Sequence, residues 1–432
     1  MHMKLSWQLL SSVINDLGKV YDGRTRYLRL FNVLRKCERI YRSKKTRKSL
    51  PDKHAEAAQI IANVCRQNGA MWIKVAQYLS CRPDILPLEY VQAFSELQTL
   101  TASHDTCPFD EVNKVLINKW GKHWENSFKS FELIPMASGS IAQVYKAELL
   151  SSDQNQIGHL AVKVRVPHVE KLYEQDAIVL RAIAKCIEPF YKEFDVPAII
   201  SEIIETTLDE LDFNIEAKNI KLYSNRADVR LLKVPQILDD LSCDSILCTE
   251  WIDGETLKNI IKSKCVNTPQ NLPLVRQFAL EMLKDIFIHG QYHGDPHPGN
   301  VLFAHDMVYL IDFGLMGELT DKQRTTYLFL LMAMTGKVVV NNYKDLFKNA
   351  GFAAENSEIF ERVGALIHDL HENSDLDITA RLETIMEALR ENKVILPQGF
   401  VGILRVILLL SGLFYSADIS FEDIFVESLK AA

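Results

Sequence analysis

Apolar residues recur at roughly helical spacing through residues 5–41, at Leu5, Leu9, Leu10, Val13, Ile14 and Leu17 and then at Leu28, Phe31 and Leu34, with Arg and Lys between them. A repeat near 3.6 residues predicts amphipathic helix. The period continues from Ala55 to Leu97, broken at Arg82-Pro83-Asp84 and at Leu86-Pro87. Proline lacks an N–H and restricts its predecessor, so a turn between two helices is expected there. Near Phe131 the pattern shortens to β-like runs over 131–134, 143–149 and 159–166, separated by a Gly/Ser turn and a polar hairpin at 151–158. Helical spacing returns over 169–190 and again over 197–223. Two more strand-like runs, 231–237 and 245–251, lead to Asp253-Gly254. Beyond Thr256 the chain reads as mainly helical, apart from short runs at 301–303 and 307–311, and a helix is expected to begin at Thr320. The expected class is α+β, a small strand-rich unit feeding a larger helical one.

That order is the outline of a two-lobed kinase-like fold. The segments expected are a basic amphipathic stretch over 1–54, a helical extension over 55–128, a strand-rich lobe with inserted helices over 129–254 and a helical lobe over 255–432. A length of 432 residues suits two or three packed units, and 47% hydrophobic with 24% charged residues is the balance of a folded globular chain. The net charge of −7 conceals an asymmetry: residues 1–50 hold 13 Lys and Arg against 3 Asp and Glu. With Trp7 and the run Lys44, Lys45, Arg47 and Lys48, this segment reads either as a helix packed on the protein or as a peripheral helix on an anionic membrane surface. No nucleic-acid partner is expected.

Eight cysteines without dense spacing point to a reducing intracellular compartment, and Cys243 and Cys248 read as core residues, not as zinc ligands. No secretory signal is visible at the start. The most apolar stretch, 400–415, carries Arg405 near its middle, a costly residue in hydrocarbon, so a buried helix is expected there and not a membrane span.

The strongest local signal is His293-Gly-Asp-Pro-His-Pro-Gly-Asn300, followed by Asp312-Phe-Gly314. In kinases an Asn five residues beyond the catalytic Asp and the Asp of the DFG triplet hold Mg²⁺ against the phosphates. Asp295 and Asn300 have that spacing, which makes Asn300 and Asp312 the expected metal ligands and Asp295 the group that orients an attacking hydroxyl or water. His293, Asp295 and His297 also resemble a hydrolase-type metal cluster, but two prolines flank His297 and argue for a rigid loop. His293 is expected to be structural, hydrogen-bonding the backbone near the DFG segment. Upstream, Ala161-Val162-Lys163 has the V-A-I-K pattern whose lysine holds the α- and β-phosphates. Its carboxylate partner is sought among Glu210, Asp212 and Glu216. Ala137, Ser138, Gly139 and Ser140 occupy the place of the phosphate-covering loop without forming G-x-G-x-x-G.

Taken together, the loop Pro135 to Ala147, the Lys163 strand, Glu210-Leu-Asp212 with Glu216, Glu250-Trp-Ile-Asp-Gly254, the 293–300 loop and the DFG triplet resemble the UbiB/ADCK family of atypical kinases. Lys74-Val-Ala-Gln77 is similar to that family's KxGQ signature. The resemblance implies a kinase-like fold with extra helices laid over the cleft and ATP and Mg²⁺ as cofactors. It implies that Glu216 pairs with Lys163, that Glu210 and Asp212 form the ExD pair holding Lys74 and Gln77, and that Glu250 and Ile252 contact the nucleotide. It also implies ATP hydrolysis or atypical kinase activity in support of coenzyme Q or other isoprenoid-lipid metabolism, with lipid-pathway enzymes as partners and little protein phosphorylation. Ala76 replaces the glycine of KxGQ, Gly139 interrupts the alanine-rich loop, and Ala142 stands where many members have glycine. Two alternatives stay open. One is a small-molecule kinase of the aminoglycoside or choline kinase type, in which a histidine likewise takes the place of the usual loop lysine, as His297 does here. The other is a nucleotide-gated scaffold for a membrane enzyme assembly.

Overall fold

The structure is a computed structural model that describes residues 24–43, 49–80, 82, 85–98, 107–150, 158–188, 195–225, 232–373, 376, 378–416, 423–425 and 427. Residues 5–17 with Trp7, the basic run 44–48, Pro83, Asp84 and most of the 151–158 hairpin lie outside them. The chain divides into two compact units, one of residues up to Phe213 with Leu238–Cys248, the other of Asn214–Ile237 with Thr249 onward.

The first unit opens with α1 (Arg24–Arg42), α2 (Leu50–Asn68), α3 (Ala70–Ser80) and α4 (Leu88–Ser95). Ser49 and Asp52 form a reciprocal capping box at the start of α2, satisfying N–H groups that the first turn cannot. Gly69 at φ 65° separates α2 from α3, a break that proline-based reasoning over 55–97 does not anticipate. After α5 (Phe109–Trp120) come β1 (Phe128–Phe131), β2 (Ala137–Ser138), β3 (Ala142–Leu149) and β4 (His159–Arg165). β6 (Ile246–Glu250) completes a sheet in the order β1-β3-β4-β6, with β2 also paired to β3. The first strand therefore sits earlier than residues 131–134. Phe128 and Phe131 turn into a cluster with Trp124, whose ring lies 4.8 Å from that of Phe131, whereas Leu133 and Ile134 next to Pro135 are exposed. Aromatic contacts of this kind add about 0.5–1.5 kcal/mol beyond area burial, enough to set the register.

Alternation along β4 puts Leu160, Val162 and Val164 into the core with Tyr145, Ile246 and Cys248, and Lys163 and Arg165 on the opposite face. Cys248 is buried among these apolar groups, which push its thiol pKa up, and Cys243 packs against the same cluster. Helix α6 (Val169–Ile187) follows. The single helix expected over 197–223 is instead two, α7 (Val196–Asp209) and α8 (Phe213–Ser224), broken at Glu210-Leu211-Asp212. Arg165 enforces the break: its Nη1 donates to the Leu211 carbonyl at 2.5 Å and to that of Asp244 at 3.1 Å, giving the turn's backbone partners outside any helix.

In the second unit the run over 231–237 shrinks to β5 (Leu232–Lys233), which pairs parallel with β10 (Met307–Leu310). β10 pairs with β9 (Val301–Ala304), and β9 with β7 (Glu255–Thr256). A separate ribbon joins β8 (Gln291–His293) to β11 (Met316–Glu318). β7, β8 and β11 are too short, at two or three residues, to show a period-2 pattern. The helices are α9 (Leu257–Lys262), α10 (Asn271–Lys284), α11 (Asp321–Met334), α12 (Tyr343–Asn349), α13 (Glu358–Asn373), α14 (Ile378–Glu391) and α15 (Gln398–Ser416). Thr320 caps α11 with a capping box, as its position predicts. The apolar stretch 400–415 is a buried helix: Phe400, Ile403, Leu404, Ile407 and Leu410 of α15 are all core, and no described helix is long and apolar enough to cross a membrane.

Candidate active site

The loop 293–300 and the DFG segment are tied together by backbone and side chain. Gly294 N–H donates to the Leu315 carbonyl at 2.9 Å, Ile311 N–H to the Asn300 carbonyl at 3.1 Å, and β8 pairs His293 with Met316 of β11. A Cβ on Gly294 would come within 2.7 Å of the Leu315 side chain, so glycine is needed for the two segments to approach.

His293 stands between them. Its Nδ1 accepts the Asp295 N–H at 3.1 Å, so the neutral ring carries its proton on Nε2, which meets the Asp312 carbonyl. Burial holds this histidine below its usual pKa, against the opposing pull of Asp295 and Asp312. Both ring nitrogens are occupied, and the hydrolase-type metal reading loses its first ligand for that reason. The structural role expected for His293 is the one observed.

Around it sit the other predicted residues. Asn300 donates from Nδ2 to the Asp295 carbonyl at 3.3 Å, which orients its amide oxygen away from that bond. Asp312 Oδ1 accepts from Gly314 N–H at 3.1 Å. Amide and carboxylate oxygens are hard donors of the type Mg²⁺ takes, so the donor set fits that metal. Asp295 Oδ1 lies 3.2 Å from Nη2 of Arg405, a residue of α15 in the far C-terminal part of the chain.

Helix α8 grips the DFG phenylalanine through two residues one turn apart. Glu216 Oε1 accepts the Phe313 N–H at 3.5 Å, and Asn219 Nδ2 donates to the Phe313 carbonyl at 2.9 Å. The ring of Tyr223, one further turn along, is 5.2 Å from that of Phe313. From the sequence Glu216 is expected as the partner of Lys163, and here it holds the Phe313 N–H; Asn219 and Tyr223 carry no expectation, and Arg405 enters only as an argument against a membrane span. The i, i+3 spacing of Glu216 and Asn219 was the readable signal for one of them.

In the first unit, Lys163 extends from β4 with its Nζ 5.3 Å from the centre of the Phe213 ring. Lys163 and Glu216 belong to different units. Ala137 and Ser138 pair with Val144 and Gln143, and Gly139 N–H closes on the Ala142 carbonyl at 2.8 Å, so the loop through Ser140 is a tight hairpin on β3. Lys74 Nζ lies 2.5 Å from Glu210 Oε2, while Gln77 donates to the Leu97 carbonyl at 3.3 Å. Asp212 follows Glu210 in the turn held by Arg165. Glu250 ends β6 in a two-way contact with Gln236, and Ile252 lies two residues on, half-buried.

Sequence comparison adds relatives. The profile of the ABC1 atypical kinase-like domain matches residues 99–348. A protein from the hydrogenase 1 5' region of Clostridium pasteurianum is 26% identical over 84% of this chain and 68% of its own length. A probable serine/threonine-protein kinase of Dictyostelium discoideum, abkB, is 32% identical over 64% of this chain and 42% of its own. A chloroplastic Arabidopsis thaliana protein named Activity of BC1 complex kinase 3 is 29% identical over 82% of this chain and 50% of its own. The chain thus spans half or less of these two eukaryotic relatives. A Mycobacterium tuberculosis structure in complex with erythromycin aligns with TM-score 0.48 and 22% identity, covering 73% of this chain and 88% of that one.

Proposed function

Because the chain belongs to the ABC1 atypical kinase-like family, we propose that it binds Mg-ATP and turns it over slowly, as an atypical kinase or ATPase supporting coenzyme Q or other isoprenoid-lipid metabolism at a membrane surface. The observation that carries this reading is the His293 bridge: one neutral imidazole holds the Asp295 backbone and the Asp312 backbone together, and Asn300 bonds the Asp295 carbonyl, so the two predicted metal ligands and the predicted catalytic carboxylate share one scaffold.

In this reading Asn300 and Asp312 hold the metal, Lys163 serves the phosphates, Glu216 holds the DFG segment through the Phe313 N–H, and Asp295 orients the attacking oxygen. The hairpin of Ala137, Ser138, Gly139 and Ser140 covers the phosphates, and Glu250 and Ile252 border the base. Bound Mg-ATP supplies the transferable phosphoryl group and the metal charge. The Lys74–Glu210 pair favours an extension-regulated atypical kinase over a small-molecule kinase. Phosphorylation of proteins in trans is disfavoured, because α11 is capped at Thr320, only six residues after Gly314, which leaves little chain for a peptide-docking segment. Net positive charge over residues 1–50 supports a peripheral contact with anionic lipid.

Calorimetry with Mg-ATP on wild type and Asp312→Asn tests the nucleotide reading, together with phosphate release with and without anionic liposomes or a quinone-precursor-like phenol. Binding and slow turnover are expected in wild type and a loss of at least tenfold in the variant; equal binding and turnover in both proteins would sink it. Liposome flotation of a chain starting at residue 51 tests the anchor, and undiminished flotation would rule it out.

A further inference from the structure

Position 297, where kinases commonly carry a lysine two residues beyond the catalytic Asp, holds a histidine. His297 Nδ1 accepts the Gly299 N–H at 3.1 Å and its carbonyl accepts the Asn300 N–H at 2.7 Å, so the residue is committed to shaping the loop, and no Lys or Arg stands in 293–300. A loop built to handle a terminal phosphate then lacks its own cation.

A cation arrives from elsewhere. Arg405 lies in the middle of α15 with its side chain only 14% exposed, and its guanidinium meets Asp295 Oδ1 at 3.2 Å. An arginine amid buried Ile403, Leu404, Val406 and Ile407 carries a desolvation cost that a helix without a task for it would avoid. The approach of α15 is itself arranged: Gly402, one turn before Arg405, faces Tyr292, and a Cβ there would overlap the Tyr292 hydroxyl. Tyr292 directly precedes His293 in β8. The small residue lets α15 lie close enough to β8 for Arg405 to reach the loop. Lys258 also lies near His297, whereas Arg405 is ion-paired with the Asp295 carboxylate itself.

We infer that Arg405 supplies the positive charge that faces the terminal phosphate of ATP, in place of the lysine absent at position 297. This rests on the nucleotide reading above. Arginine suits the task because its planar fork keeps its charge at any physiological pH and can serve a carboxylate and a phosphate at once.

The test compares Mg-ATP and Mg-ADP affinities by calorimetry in wild type, Arg405→Met, Arg405→Lys and Lys258→Met, with thermal unfolding of each. In Arg405→Met the ratio of ATP to ADP affinity is expected to fall about tenfold, the size of one charge-assisted contact, with ADP affinity nearly unchanged. Arg405→Lys should recover part of the ratio, and it decides the question if the Met variant does not fold. Lys258→Met should leave the ratio where it is. A parallel loss for both nucleotides would mean a structural role, and an unchanged or raised ratio would mean that Arg405 does not meet the phosphate; either overturns the inference while the nucleotide reading stands. Failure of wild type to bind either nucleotide overturns that reading instead.

Discussion

Lys74 Nζ and Glu210 Oε2 lie 2.5 Å apart, joining helix α3 to the turn between α7 and α8 across 136 positions of sequence. Tyr78, one turn beyond Lys74, donates to Glu202 of α7 at 2.6 Å, so α3 is tied both to α7 and to the turn that follows it. The pair is partly shielded, at 27% and 14% side-chain exposure, and should therefore exceed the roughly 0.2–1 kcal/mol of an exposed pair. A double-mutant cycle with Lys74→Met and Glu210→Gln, read by urea unfolding, should give a coupling of about 1–2 kcal/mol. A coupling near zero would show the pair to be incidental.

Arg165 holds the turn that presents Glu210. Arg165→Met removes the donors to the Leu211 and Asp244 carbonyls and the ion pair with Glu170 at 2.5 Å. The Asp244 carbonyl keeps the Phe213 N–H, and taking the donor from the partly buried Leu211 carbonyl costs about 1–3 kcal/mol. The expected result is a lower unfolding midpoint together with a smaller Lys74–Glu210 coupling when the cycle is repeated in this background.

For His293 the hydrogen-bond pattern demands the Nε2–H tautomer, which nitrogen-15 spectra of the ring report directly. His293→Phe keeps the ring contact with Phe313, 5.1 Å between centres, but removes the imidazole's hydrogen bonds to the Asp295 N–H and the Asp312 carbonyl. A loss of about 2–4 kcal/mol is expected, larger than a surface substitution would give. An Nδ1–H signal at neutral pH would contradict the assignment.

Gly402→Ala adds one methyl group against the Tyr292 hydroxyl, in a core that pushes the Tyr292 pKa up to about 12 by burial. Overpacking of this kind costs about 1–3 kcal/mol. The Tyr292→Phe background should recover much of it, because it deletes the atom that clashes. Failure of that rescue would place the strain elsewhere.

Much of this was written in the chain. The β-like run over 159–166 announced β4, the D-x4-N spacing from Asp295 to Asn300 announced the loop, and a helix was expected from Thr320, which caps α11. Local rules suffice for such features because neighbours along the chain make the contacts. The helix break at Glu210-Leu211-Asp212 was not legible, since the donor that stabilises it, Arg165, lies 46 residues upstream of the carbonyl it serves. β8 and β11 escaped because strands of three residues have no period to detect.

The sequence by itself determined the kinase-like family and the α+β order of elements, because those depend on residue type and short-range spacing. Arg405 shows what it could not determine. Read along the chain, it is a lone charge that argues against a membrane helix. In the folded protein it is an ion-pair partner of Asp295, 110 positions away, admitted by a glycine whose purpose is also invisible until Tyr292 lies against it. Tertiary packing alone decided that contact, because the free energy that holds a charge inside an apolar helix comes from a partner brought there by the fold.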